Sequence, residues 1–190
     1  MELHAHAMDN LRYIRETIER AGSFTAVPGL GGMLMGSTAL VAAWAAGSAA
    51  GSARWLAVWL VEATAAVTIG VMAAALKSRR ARLPLLSGPG RKFLAGFAPA
   101  MLAGALLTAV LFRAGAAALL PGVWLLLYGV AIVSGGWASV RVVPLMGACF
   151  MAAGALALLL PGLPANVLLA ASLGGMHIVF GSIIAVKYGG

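Results

Sequence analysis

Two apolar runs, Val142 to Leu160 and Ala165 to Val186, are separated only by Pro161-Gly162-Leu163-Pro164, and this stretch limits the possible folds more than any other. Crossing the ~30 Å hydrocarbon core of a bilayer takes about 20 helical residues. Each run is long enough to cross once. Within lipid a helix satisfies its own backbone hydrogen bonds, so the pair reads as a transmembrane helical hairpin. Its glycines fall seven apart, Gly147/Gly154 and Gly174/Gly181. Seven residues make two helical turns, so each pair lies on one face, where a small residue lets a neighbouring backbone approach.

The rest of the chain repeats the theme more faintly. Of its 190 residues, 62% are hydrophobic and 9% charged. No soluble domain of this size hides so much apolar surface, so lipid is the expected solvent. Residues 1–22 are polar and amphipathic, and the first long apolar run begins only at Pro28, so no signal peptide is expected. The single cysteine, Cys149, lies inside an apolar run and has no intramolecular disulfide partner.

Taken in order, residues 8–21 read as an amphipathic helix outside the spans. Met8, Leu11, Ile14, Ile18 and Ala21 form one apolar stripe, and Arg12/Glu16, Arg15/Glu19 and Glu16/Arg20 are opposite charges four apart. Asp9 fits the N-cap and Gly22 the stop. Six crossings follow, at about 28–46, 55–76, 93–112, 121–140, 142–160 and 165–186. Gly32 and Gly36 in the first make a GxxxG packing face. The fold class is therefore all-α, a polytopic membrane protein of three hairpins, with residues 1–27 as an interfacial domain and 28–187 as the transmembrane domain.

Charge sets the expected orientation. Lys77, Arg79, Arg80, Arg82, Arg91 and Lys92 crowd the link between the second and third crossings with no acid among them. Apart from Arg54 and Arg113, every Lys and Arg falls on the side that also carries the termini. The positive-inside rule makes that side cytoplasmic. Trp44, Trp55 and Trp124 fall at predicted outer helix ends, and Trp137 and Tyr188 at inner ones, as interfacial anchors. The basic cluster doubles as a candidate anionic-lipid site. No aromatic residue interleaves its charges to stack on a base, so nucleic acid is not an expected partner.

The spacing of seven recurs as Gly29/Gly36, Phe97/Gly104 and Gly147/Gly154 in the odd crossings and as Ala63/Gly70, Gly129/Gly136 and Gly174/Gly181 in the even ones, which suggests a threefold hairpin repeat. The G-x6-G-x6-PG run of residues 147–162, followed by a helix with Gly174 and Gly181, resembles the short repeat of HdeD-like membrane proteins. These are six-helix bacterial inner-membrane proteins associated with acid resistance. The resemblance covers residues 142–187 and implies a fold and a link to envelope stress, with no catalytic residue to carry over.

Two ionisable side chains lie inside the predicted crossings. Glu62 falls eight residues after Arg54, about 12 Å along the helix, and His177 ten residues before Lys187, about 15 Å. Charge at bilayer depth costs at least ~2.5 kcal/mol on insertion scales, so each is a candidate polar site or member of a proton relay. The alternative is that each is bonded locally, Glu62 to a neighbouring hydroxyl and His177 to a backbone carbonyl. His4 and His6 lack a third ligand, so no metal site is expected. No cofactor motif is present, and Ser/His/Asp chemistry lacks its acid within the spans.

Three functions compete: a non-enzymatic module that packs with itself or with a membrane partner; a small transporter or proton-linked channel using Glu62 and His177; and an intramembrane enzyme acting on lipid. Pro99 and Ser134-Gly135-Gly136 are the positions at which a transport path would open a helix. A cavity reaching both Glu62 and His177 would favour transport, and tight packing there would favour the first.

Overall fold

The computed structural model describes residues 8, 10, 11, 13, 27–48, 50–81, 84–137, 139–160 and 162–188. Six helices are long and apolar enough to cross a membrane: α1 (Gly29–Ala46), α2 (Ala53–Arg80), α3 (Gly88–Arg113), α4 (Leu120–Gly136, entered through a 3-10 turn at Ala117–Leu119), α5 (Val142–Leu159) and α6 (Ala165–Tyr188). Among the described residues no β-strand forms, and the chain is an all-α polytopic membrane protein. The amphipathic helix expected over residues 8–21 lies outside the described residues apart from helical positions 8, 10, 11 and 13.

Most of the glycines expected to bring backbones together do so, but largely between hairpins. Gly32 sits against the Cα of Gly181, and a Cβ on Gly36 would come within 2.6 Å of the Gly174 carbonyl. The first crossing is thereby laid antiparallel along the last. In the same way a Cβ on Gly129 would meet the Gly147 carbonyl at 2.6 Å, and one on Gly147 the Gly129 carbonyl at 2.8 Å, which seals α4 to α5. The two helices of the α5–α6 hairpin pack mainly on other partners: α5 lies on α4, α6 lies on α1, and the two touch each other only sparsely. Their glycine faces point to different neighbours, so the Pro161–Pro164 link joins two helix pairs instead of closing one.

Helices α2 and α3 are peripheral, resting on α1 and α4 respectively. Gly96 of α3 nests against Ser134 and Gly135 of α4, so the Ser-Gly-Gly cluster serves close packing, not an opening. Gly70 and Gly104 make only ordinary contacts, with the Met35 sulfur at 3.5 Å and Leu127 at 3.7 Å.

The basic link is shorter than the sequence suggests. Helix α2 runs on through Lys77, Arg79 and Arg80, and α3 begins at Gly88 with Pro89 in its first turn and includes Arg91 and Lys92. Cations suit a helix C-terminus, where the macrodipole is negative, and proline suits a first turn, so both helices extend beyond the apolar runs. At the opposite end, which carries the α1–α2, α3–α4 and α5–α6 loops, the helix-stopping residues Gly47 (φ 65°) and Gly115 (φ 73°) take the left-handed conformation that glycine adopts without strain.

These contacts rank the glycines. Gly147→Ala pushes a methyl into the α4 backbone and is expected to cost about 1–3 kcal/mol, read as a lower melting temperature in detergent. Gly104→Ala, facing only the end of a leucine side chain, should melt within error of the native protein. Equal losses in the two would contradict the packing described.

Candidate functional site

His177 lies at the seam between the two glycine-packed pairs. Seven residues of α6, Ala170–Met176, are wound as a π-helix immediately before it. There the His177 backbone N–H bonds the Gly174 carbonyl. The Leu173 carbonyl, its partner in a regular α-helix, accepts instead from Nδ1 of the His177 ring at 2.8 Å. A carbonyl only accepts, so Nδ1 carries the proton, and in the neutral ring Nε2 accepts from the Tyr128 hydroxyl of α4 at 2.6 Å. Phe150 of α5 closes the other side, with ring centroids 5.1 Å from His177 and 5.0 Å from Tyr128, edge-on to the latter. His177 is 5% exposed and both of its ring nitrogens are bonded.

Glu62 occupies a different place. Its carboxyl, on α2, meets Thr38 of α1: Thr38 Oγ1 is 2.9 Å from Oε1 and also 2.9 Å from the Met35 carbonyl. One hydroxyl proton cannot fully serve both acceptors. Thr38 shares its proton between Oε1 and the Met35 carbonyl as a three-centre bond. The other oxygen, Oε2, has no partner in the chain and is not sealed off. It borders a groove between α1 and α2 that Arg54 also lines.

Glu62 and His177 therefore do not meet: Glu62 bonds Thr38, while His177 bonds Tyr128 and Leu173. The groove beside Glu62 is lined by α1 and α2 alone and does not reach His177. Among the described residues no three His, Cys, Asp or Glu side chains are placed to hold a metal.

A third polar cluster, at the loop end, was not anticipated. Asn166 Oδ1 accepts from the indole nitrogens of Trp55 at 2.7 Å and Trp59 at 3.3 Å, and its amide nitrogen donates to the Gly47 carbonyl. Trp55 stacks on Trp124, centroids 5.4 Å apart and planes 4° from parallel. Trp124 in turn donates to Thr108 of α3 at 2.7 Å. Trp55 is thus wholly buried and not the interfacial anchor expected of it, because Asn166 gives its N–H a partner inside the bundle. Trp44 and Trp137 are each 85% exposed. The missed residues carried a legible signal: Asn166 is the sole amide side chain in the spans and Tyr128 the sole mid-span phenol.

The basic residues stay at the terminal end. Arg79, Arg80, Arg91 and Lys92 are exposed, and Arg82 lies outside the described residues, as do His4 and His6. Lys77 turns inward and donates to the carbonyls of Val27 at 3.0 Å and Tyr188 at 3.1 Å, tying α2 to the start of α1 and the end of α6.

The seam can be tested by unpairing it. Tyr128→Phe leaves His177 Nε2 buried without a partner and should cost about 1–3 kcal/mol. Adding His177→Leu removes the stranded group, so the double variant should melt above Tyr128→Phe alone. A double variant no more stable than the single would contradict this arrangement.

Comparison with known protein families, characterised proteins and solved structures finds no match to this chain.

Proposed function

We propose that this protein is a non-enzymatic membrane module: a packed helical scaffold that associates with a membrane partner or with its own copies, in a bacterial inner membrane with both termini cytoplasmic. The separation of Glu62 from His177 carries this reading. A proton relay needs its groups linked by hydrogen bonds or by a wet path, and here the two share no partner: Glu62 bonds Thr38, while His177 bonds Tyr128 and the Leu173 carbonyl. The imidazole fits a structural pin, because both ring nitrogens are used and aromatic rings enclose it.

Supporting the association reading, α2 and α3 present long membrane-facing surfaces, with Val61, Val67, Leu102 and Leu106 all well exposed. Supporting the orientation, the exposed Arg79, Arg80, Arg91 and Lys92 gather at the end that also holds Lys187. On the same reading they meet anionic headgroups of the inner leaflet. The link to envelope or acid stress rests on the HdeD-like pattern of residues 142–187, and the threefold hairpin repeat on the recurring glycine spacing.

The competing transport reading gives an opposite result in one experiment. In proteoliposomes under an imposed pH gradient, the native protein, Glu62→Gln and His177→Ala should all leak at the rate of empty liposomes. Dissipation by the native protein that either substitution stops would overturn the proposal in favour of proton transport.

A further inference from the structure

The groove between α1 and α2 combines three features that packing alone leaves unused. Its walls are apolar, formed by Val41 and Ala45 of α1 and Ala57, Val58 and Val61 of α2. Arg54 lines it at the loop end. Oε2 of Glu62, which has no partner in the chain, opens into it part-way down. Beyond it lies an open face of α2 formed by Leu60, Thr64, Thr68 and Ile69, which adjoins the groove at Val61 and Ala65. From Arg54 to Ile69 the helical rise gives about 22 Å, longer than the ~15 Å half-thickness of the hydrocarbon core. The hydroxyls of Thr64 and Thr68 bond the carbonyls one turn back, at 2.9 and 2.8 Å, which leaves this stretch weakly polar.

We infer that this groove, with the adjoining face of α2, binds a single-chain anionic amphiphile carrying a free hydroxyl next to its headgroup, the chemistry of a lysophospholipid. The anionic phosphate meets the Arg54 guanidinium, a charge-assisted contact made stronger by the low dielectric of the interface. The hydroxyl meets Glu62 Oε2. A hydroxyl both donates and accepts, so it satisfies that oxygen whether or not it carries a proton, whereas an ester carbonyl only accepts. Arg54 and Glu62 line the same groove. The single chain then lies along Val58, Val61, Ala65 and Ile69. A cationic amphiphile fits less well, since Arg54 repels it at the mouth.

The test is titration of the full-length protein in maltoside detergent with three probes, read by native mass spectrometry: oleoyl lysophosphatidylglycerol, dioleoyl phosphatidylglycerol and an alkyl phosphate without a hydroxyl. The lysolipid should bind most tightly. Arg54→Gln should weaken it about fivefold. Glu62→Leu should weaken the lysolipid but leave the alkyl phosphate unchanged. Ala57→Phe, which fills the groove from an exposed position, should abolish binding of both. Diacyl lipid binding as tightly as the lysolipid would overturn the proposal, as would lysolipid binding unchanged by Arg54→Gln and Ala57→Phe. So would binding that responds only to Arg79→Gln and Arg80→Gln, which would place the lipid at the basic end.

Discussion

Inside a bilayer, apolar side chains gain nothing by leaving lipid for protein, so helices hold together only where backbones come close enough for dense contact or where polar groups find partners. This chain meets that constraint at two interfaces. Gly29, Gly32 and Gly36 of α1 lie against Gly174, Gly181 and Ala185 of α6, and Gly122, Gly129 and Gly136 of α4 face Gly147 and Gly154 of α5 or their neighbours. In each, the glycine of one helix rests on backbone of the other. The other helices take their places from these two pairs: α2 rests on α1, and α3 on α4.

What joins the pairs is chemically different. At mid-bundle the seam is aromatic and polar, with Tyr128 and His177 bonded across it and Phe150 against both rings. At the loop end Asn166 and Trp55 link α6 and α2, and the Trp55–Trp124 stack extends the link to α4. At the terminal end Lys77 bonds the carbonyls of Val27 and Tyr188. The ionisable and larger polar side chains described inside the spans thus have structural work at defined seams, whereas the Ser37, Thr64, Thr68 and Ser182 hydroxyls bond their own helices. Glu62 is the exception, since one of its oxygens faces a membrane groove. The π-helical stretch Ala170–Met176 belongs to the same logic, because redirecting the His177 backbone N–H frees the Leu173 carbonyl to fix the ring.

The six crossings were legible because hydropathy and length are local properties of the chain. Their ends were less so, since charged residues extend a helix into water without any apolar signal, as at Lys77 to Arg80. Most of the glycines singled out by spacing lie on close packing faces, Gly70 and Gly104 excepted, but the partner of each face was not readable: spacing shows that Gly174 and Gly181 share a face, not that α1 meets it. That pairing joins residues 138 and 149 apart in sequence, Gly36 with Gly174 and Gly32 with Gly181, and is fixed by three-dimensional fit. Glu62 and His177 stood out by their charge. Asn166 and Tyr128 are uncharged, and their roles depend on neighbours brought from other helices.

The account stands or falls on α1 lying directly against α6. Spin labels at two membrane-facing positions, Leu34 on α1 and Val179 on α6, would report this in reconstituted protein by the dipolar coupling between them. Directly packed helices have axes about 8–10 Å apart, so the account predicts strong coupling with a short, narrow distance distribution. A distribution centred at twice that interaxial distance or more, as for helices separated by a third, would contradict it.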